Sequence, residues 1–214
     1  TVVGALAMWL AAGGRVAVGL TNASELAAYG VAFRVAGLAL GIQQLVNTAM
    51  YAWLYTVRTR RADPLLAAFF AATLLLLLGI AASAPWLTDF VELSALDARG
   101  KESFRHILPL TALQMFYWIG YALLQIRVNR YRLAGRAIVP TAVVTLAGIA
   151  IILGTGLLVS NDIVLLSWLI ALHGAALFFT NVAILARRGL PHRKVTLIGV
   201  VGGAALGLVA LLIA

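Results

Sequence analysis

The chain of 214 residues has no cysteine, which removes disulfides, thiolate metal ligands and thiol nucleophiles. Charge is scarce: 11% of its residues are Asp, Glu, Lys or Arg, against about a quarter in a soluble domain. Acids are rarest, seven against 16 Lys and Arg, and no carboxylate cluster has metal-ligand spacing. No GxxxxGK[ST] stretch offers a phosphate loop and no HExxH a zinc site. The longest polar gap is about a dozen residues, too short to enclose a sugar-transfer site. The chain starts on Thr1 and enters an apolar run at once, with no basic leader, as expected of a piece of a longer protein cut at its N-terminus. Together these absences exclude a soluble enzyme, a disordered chain and a disulfide-stapled secreted module.

What remains is hydrophobic: 63% of residues, with a mean hydropathy of +1.02. An all-α, polytopic membrane protein follows. The net charge of +9 would point to nucleic acid in a soluble protein. Here the basic residues fall in short gaps between apolar runs, so no nucleic-acid partner is expected. Seven runs are long enough to cross a bilayer, which takes about 20 apolar residues. They cover Thr1–Leu20, Leu26–Val57, Leu65–Val91, Phe104–Val128, Ala137–Val159, Ile163–Ala186 and Val195–Ala214. The second is over-long for a core of about 30 Å and should tilt or project beyond it.

Basic residues concentrate in alternate gaps. Arg58, Arg60 and Arg61 follow the second run. Arg127, Arg130, Arg132 and Arg136 follow the fourth, and Arg187, Arg188, Arg193 and Lys194 the sixth. Six of the seven acids sit in the other gaps, with Asp63 the exception. The positive-inside rule makes the basic gaps cytoplasmic and sends the first helix outward.

Two charges remain within spans. Arg15 lies near the outer end of the first, and Arg34 is roughly 12 Å into the second. An intramembrane charge is costly and marks a wet cavity or a bundle interior, unless it snorkels to the headgroups or meets a helix-end carbonyl. Steps of three and four from Arg34 give Gly37, Gly41, Gln44 and Thr48, flanked by Asn47 and Tyr51. Close helix packing explains a glycine pair but not the polar side chains, so this face is read as the wall of a water-lined cavity. The fourth span has a similar stripe of Gln114, Tyr117, Tyr121 and Gln125, read as cavity lining, with interhelical hydrogen bonds as the alternative. His173 is read as a satisfied packing histidine, with a proton or substrate contact as the alternative, and Gly199, Gly203 and Gly207 as a packing face. Glu102 and His106 have the spacing of a surface ion pair.

The stretch GGRVAVGLTNASELAAYGVAFRVAGLALGIQQLVNTAMYAWL resembles the seventh and eighth helices of polysaccharide flippases, in the multidrug/oligosaccharidyl-lipid/polysaccharide superfamily. Arg15, Gly19-Leu20, Glu25, Tyr29 with Gly30, and Arg34 carry the resemblance. Gly14 stands where that pattern has Asp, and Tyr29-Gly30 reverses the usual order. Ala84-Pro85-Trp86-Leu87 and LLQIRVNRYRLAGRA extend the similarity more loosely toward the ninth and tenth helices. The resemblance implies helices seven to thirteen of a two-bundle transporter in the bacterial cytoplasmic membrane. The chain would be one helical bundle, its partner bundle lying N-terminal to it. The implied activity is non-enzymatic flipping of a polyprenyl-pyrophosphate-linked oligosaccharide, without a cofactor. Arg15 and Arg34 would hold the anionic head, while Gln44, Asn47, Gln114, Tyr117 and Tyr121 would meet the sugars. A cation-coupled multidrug exporter and a lipid II flippase are the alternatives.

Overall fold

A computed structural model describes residues 17–20, 25–56, 59–90, 96–158 and 162–213, with side chains outside 42–63 and 89–90. The elements after a helical fragment at 17–20 are α1 (Leu26–Thr56), α2 (Thr59–Ala82), α3 (Ala84–Phe90), α4 (Ala98–Arg130), α5 (Ala134–Leu158), α6 (Ile163–Ala186) and α7 (Arg193–Ile213). There is no strand among the described residues. Among the described residues five helices, α2 and α4 to α7, are long and apolar enough to cross a membrane, and the Leu26–Gly41 stretch of α1 is apolar as well. The chain is thus organised as a multi-pass membrane protein. Residues 1–16 of the first expected span lie outside the described residues.

One expectation needs correction. The third run is not a single helix: α2 stops at Ala82, and α3 restarts at Ala84. Pro85 is the reason, since it has no N–H to give the Ala81 carbonyl and its ring crowds that oxygen. Ser83 bridges the break, its hydroxyl donating to the Ile80 carbonyl at 2.8 Å.

Helix α4 is the hub, packing against α1, α2, α3, α6 and α7, while α5 leans mainly on α6. It is the least apolar of the five candidate spans and the most buried, with 78% of its most apolar stretch inside the bundle against 22% for α5. That order is what a bilayer demands, because the outer helices face lipid and the inner one need only satisfy its neighbours.

The core is built from rings seated on glycines. Phe70 of α2 stacks on Phe116 of α4 with centroids 4.5 Å apart, and Phe178 of α6 lies 6.0 Å from Phe70. Gly120 receives Phe70 and Phe178, Gly199 receives Phe178, Gly202 receives Phe116, and Gly203 receives the Tyr117 hydroxyl. The α7 packing face is therefore real, with Gly202 added to it. Gly207 meets only the rim of Trp168.

The two ends of the bundle differ chemically. At one, acids start helices: Asp97 Oδ1 accepts from Gly100 N at 2.7 Å, and Asp162 Oδ1 accepts from Val164 N at 2.8 Å. Glu25, 4% exposed beneath the start of α1, pairs with Arg99 Nε at 3.1 Å. Acids suit helix N-termini because they satisfy free N–H groups and oppose the positive dipole end.

At the other end, α4 and α6 finish in the same way. Leu133 N bonds Val128 O and Arg132 N bonds Asn129 O, a pattern repeated by Leu190 N to Leu185 O and Gly189 N to Ala186 O. Both are Schellman turns, which need a left-handed residue at the first position past the cap. Gly189 takes φ 62° without strain, whereas Arg132 takes φ 55° with a side chain. Pro64, Arg127 and the residues from Gly189 to Val195 share one cavity, so the three basic segments gather at a single end, as the charge pattern requires.

Candidate functional site on helix α1

Two faces of α1 divide its roles. Ala28, Ala32, Ala36 and Ala39 are buried, and their small side chains bring the helix close to α4. Tyr29 joins this face, fully buried, and its hydroxyl donates to Gln114 Oε1 of α4 at 2.9 Å. That bond fixes the rotation of α1. The opposite face is then turned out, with Arg34, Leu38 and Gly41 exposed.

A Cβ built on Gly30, Gly37 or Gly41 meets nothing within 4 Å among the described residues. Among the described residues, then, the glycines do not serve as a helix-packing notch, in contrast to those of α7. Arg34 stands on the same face, about 12 Å along the helix from Leu26. It has no ion-pair or hydrogen-bond partner among the described residues. A guanidinium is a permanent charge with five donors in a rigid fork. Set on an open face at membrane depth, it needs an anion, water or a polar partner.

The remaining expected site residues separate. Arg15 lies outside the described residues, and so do the side chains of Gln44 and Asn47, whose backbones belong to α1. Gln114 is 5% exposed and committed to Tyr29. Tyr117 is half-buried in an aromatic cluster, its ring 5.5 Å from Phe116 and 5.8 Å from Phe178. Tyr121 is half-buried within hydrogen-bonding reach of Thr141 on α5. Gln125 accepts from Asn181 of α6 at 3.0 Å and is 3.4 Å from Asn129. Gln114 and Gln125 thus serve interhelical hydrogen bonds, while Tyr117 and Tyr121 stay half-buried, and Arg34 makes no hydrogen bond or ion pair with any of them.

Asn181 was not singled out by the sequence pattern. It is completely buried and its amide reaches both Gln125 and the Tyr121 carbonyl. An amide in the last third of the largely apolar Ile163–Ala186 run was the available signal. His173 packs over Gly148 of α5, as expected, but is not satisfied: its Nε2 is buried without a hydrogen-bond partner among the described residues. The Glu102–His106 ion pair is not formed: Glu102 is exposed, and His106 Nδ1 is buried with no partner.

A second cluster lies at the acidic end. Glu25, Arg99, Glu102, Ser103, His106 and Asp162 surround an open cavity of about 250 Å³. It contains the Glu25–Arg99 pair and the Asp162 cap, which already account for three of its charges. Compared with models of known protein families, with curated proteins and with solved structures, the chain gives no match.

Proposed function

We propose that this chain is one helical bundle of a transporter in the bacterial cytoplasmic membrane that flips a polyprenyl-pyrophosphate-linked oligosaccharide by alternating access. The observation that carries the reading is Arg34: a permanent cation on the exposed, glycine-lined face of α1, with no partner among the described residues. Such a face suits the wall of a cavity shared with a second bundle. Its guanidinium can hold a pyrophosphate through paired, charge-assisted donors while the lipid tail stays in the bilayer. Arg15, Gln44 and Asn47 extend the same wall in the proposal. Of the α4 residues Gln114 acts indirectly, through Tyr29, by holding the rotation that turns Arg34 outward, while the half-buried Tyr117 and Tyr121 meet the sugars in the proposal. Energy comes from an ion gradient, the membrane potential or consumption of the product.

A cation-coupled multidrug exporter would be expected to bind its ion on a carboxylate within the bundle. Asp97 and Asp162 cap helices, and Glu25 and Glu102 sit at the same end. This favours the anionic substrate.

The test is complementation of a flippase-null strain by the full-length protein carrying Arg34→Ala or Arg34→Lys, with protein level monitored. The expected result is normal amounts of Arg34→Ala protein, loss of exported glycan and lipid-linked precursor retained inside, with partial rescue by Lys. Normal export by Arg34→Ala would remove the cationic-cavity mechanism.

A further inference from the structure

At the basic end of the bundle a cavity of about 510 Å³ opens between the start of α2, the end of α4 and the α6–α7 turn. Its volume is within the usual range for small-ligand sites, about 300–1,000 Å³. Pro64 and Pro191 contribute to its walls, and its charged or titratable members are Arg127, His192, Arg193 and Lys194. No acid lines it among the described residues. We infer that this cavity binds the phosphate of an anionic headgroup at the membrane surface, separately from the face that bears Arg34.

The usual explanation for basic residues here is topological, and for the exposed ones it is sufficient. It does not cover Arg127. A charge that only orients a helix works from an exposed loop, whereas Arg127 is 5% exposed and turned into the cavity wall. Burying a guanidinium carries a desolvation cost, offset here by the contacts that hold it in the wall. Its Nη1 donates to the Pro191 carbonyl, which ties α4 to the turn and fixes the fork in place. Leu190 O accepts from His192 Nδ1 at 2.7 Å, so in the neutral ring the proton sits on Nδ1 and the imidazole is held by the same turn.

Arg193 and Lys194 occupy the first turn of α7, where the helix dipole disfavours cations. A phosphate in the cavity reverses that penalty. It meets two cationic side chains, the fixed guanidinium and the positive end of a 21-residue helix. The Gly189 turn is what folds these segments together, through its left-handed backbone.

The experiment uses native mass spectrometry of the detergent-solubilised full chain with three probes: short-chain phosphatidylglycerol, short-chain phosphatidylcholine and inorganic phosphate. Two charge-matched variants are compared, Arg193→Gln/Lys194→Gln in the cavity and Arg187→Gln/Arg188→Gln just outside it. All four side chains are exposed, so both variants should keep the fold. Phosphatidylglycerol should bind the unaltered chain and the outside variant alike, and the cavity variant about tenfold or more weaker. Competition by inorganic phosphate means that the site reads the phosphate alone, and its failure to compete means that the site takes the lipid. Equal weakening by both variants, or phosphatidylglycerol binding no tighter than phosphatidylcholine, overturns the proposal. Since the site does not rest on the transport reading, a chain that failed to export glycan would still bind.

Discussion

The Tyr29 hydroxyl and Gln114 Oε1 meet at 2.9 Å across the seam between α1 and α4, 85 residues apart in sequence. The pair converts a helix that could lie in several rotations into one whose alanines face inward and whose arginine faces outward. Its removal is therefore informative about both stability and orientation.

Tyr29→Phe keeps the ring and leaves the buried Gln114 oxygen without its donor. The expected loss is about 1 kcal/mol, the scale of an interhelical hydrogen bond in a membrane. Gln114→Leu on that background should cost less than it does alone. A double-mutant cycle on unfolding in mixed detergent micelles measures the coupling, and a coupling of zero would mean that the two groups do not meet in the bilayer.

The glycines of α7 should divide sharply under alanine substitution. At Gly203 a methyl group would collide with the Tyr117 hydroxyl, and at Gly199 with the Phe178 ring. Each should destabilise by about 1–3 kcal/mol, as overpacked interiors do. At Gly207 the nearest atom to the new methyl is Trp168 Cη2 at 3.8 Å, ordinary contact distance, so Gly207→Ala should be nearly neutral. Thermal denaturation of the three variants in one detergent gives the ranking. Equal effects would show that the packing around α7 is looser than described.

The matched Schellman turns give a prediction of opposite signs. Arg132→Gly removes a side chain from a left-handed position and should stabilise by about 1 kcal/mol, less the small loss of a surface charge. Gly189→Ala introduces the same strain where none exists and should destabilise by a similar amount, about 1 kcal/mol. Melting temperatures of the pair decide it. A destabilising Arg132→Gly would show that the arginine makes a compensating contact in the membrane.

Helix positions were legible because hydrophobic length is a one-dimensional signal. The Ile163–Ala186 run coincides with α6, and the Leu26–Val57 run ends one residue beyond α1. The break at Ser83 was equally available, from the rule that proline cannot continue a helix bond. What could not be separated was the destination of a polar stripe. Gln114 and Arg34 are both polar residues within apolar runs, yet one ends in a buried bond and the other on an open face. The difference lies in Tyr29, whose phenol happens to arrive opposite the amide. Arg127 illustrates the same limit from the other side: its sequence position says loop charge, and only the returning Pro191 carbonyl makes it part of a cavity wall.

The central helix α4 is the least apolar of the candidate spans while being the most enclosed by its neighbours. During synthesis this reverses the usual order of priority. A segment with Gln114, Gln125 and two prolonged polar ends partitions from the translocation channel into lipid less readily than α2 does. Helices α1 and α2, made earlier, supply the Tyr29 hydroxyl and the Phe70 ring on which α4 settles. Integration of α4 should therefore lean on its neighbours: lesions in α1 are expected to surface as poorer membrane integration of a helix that lies more than forty residues downstream.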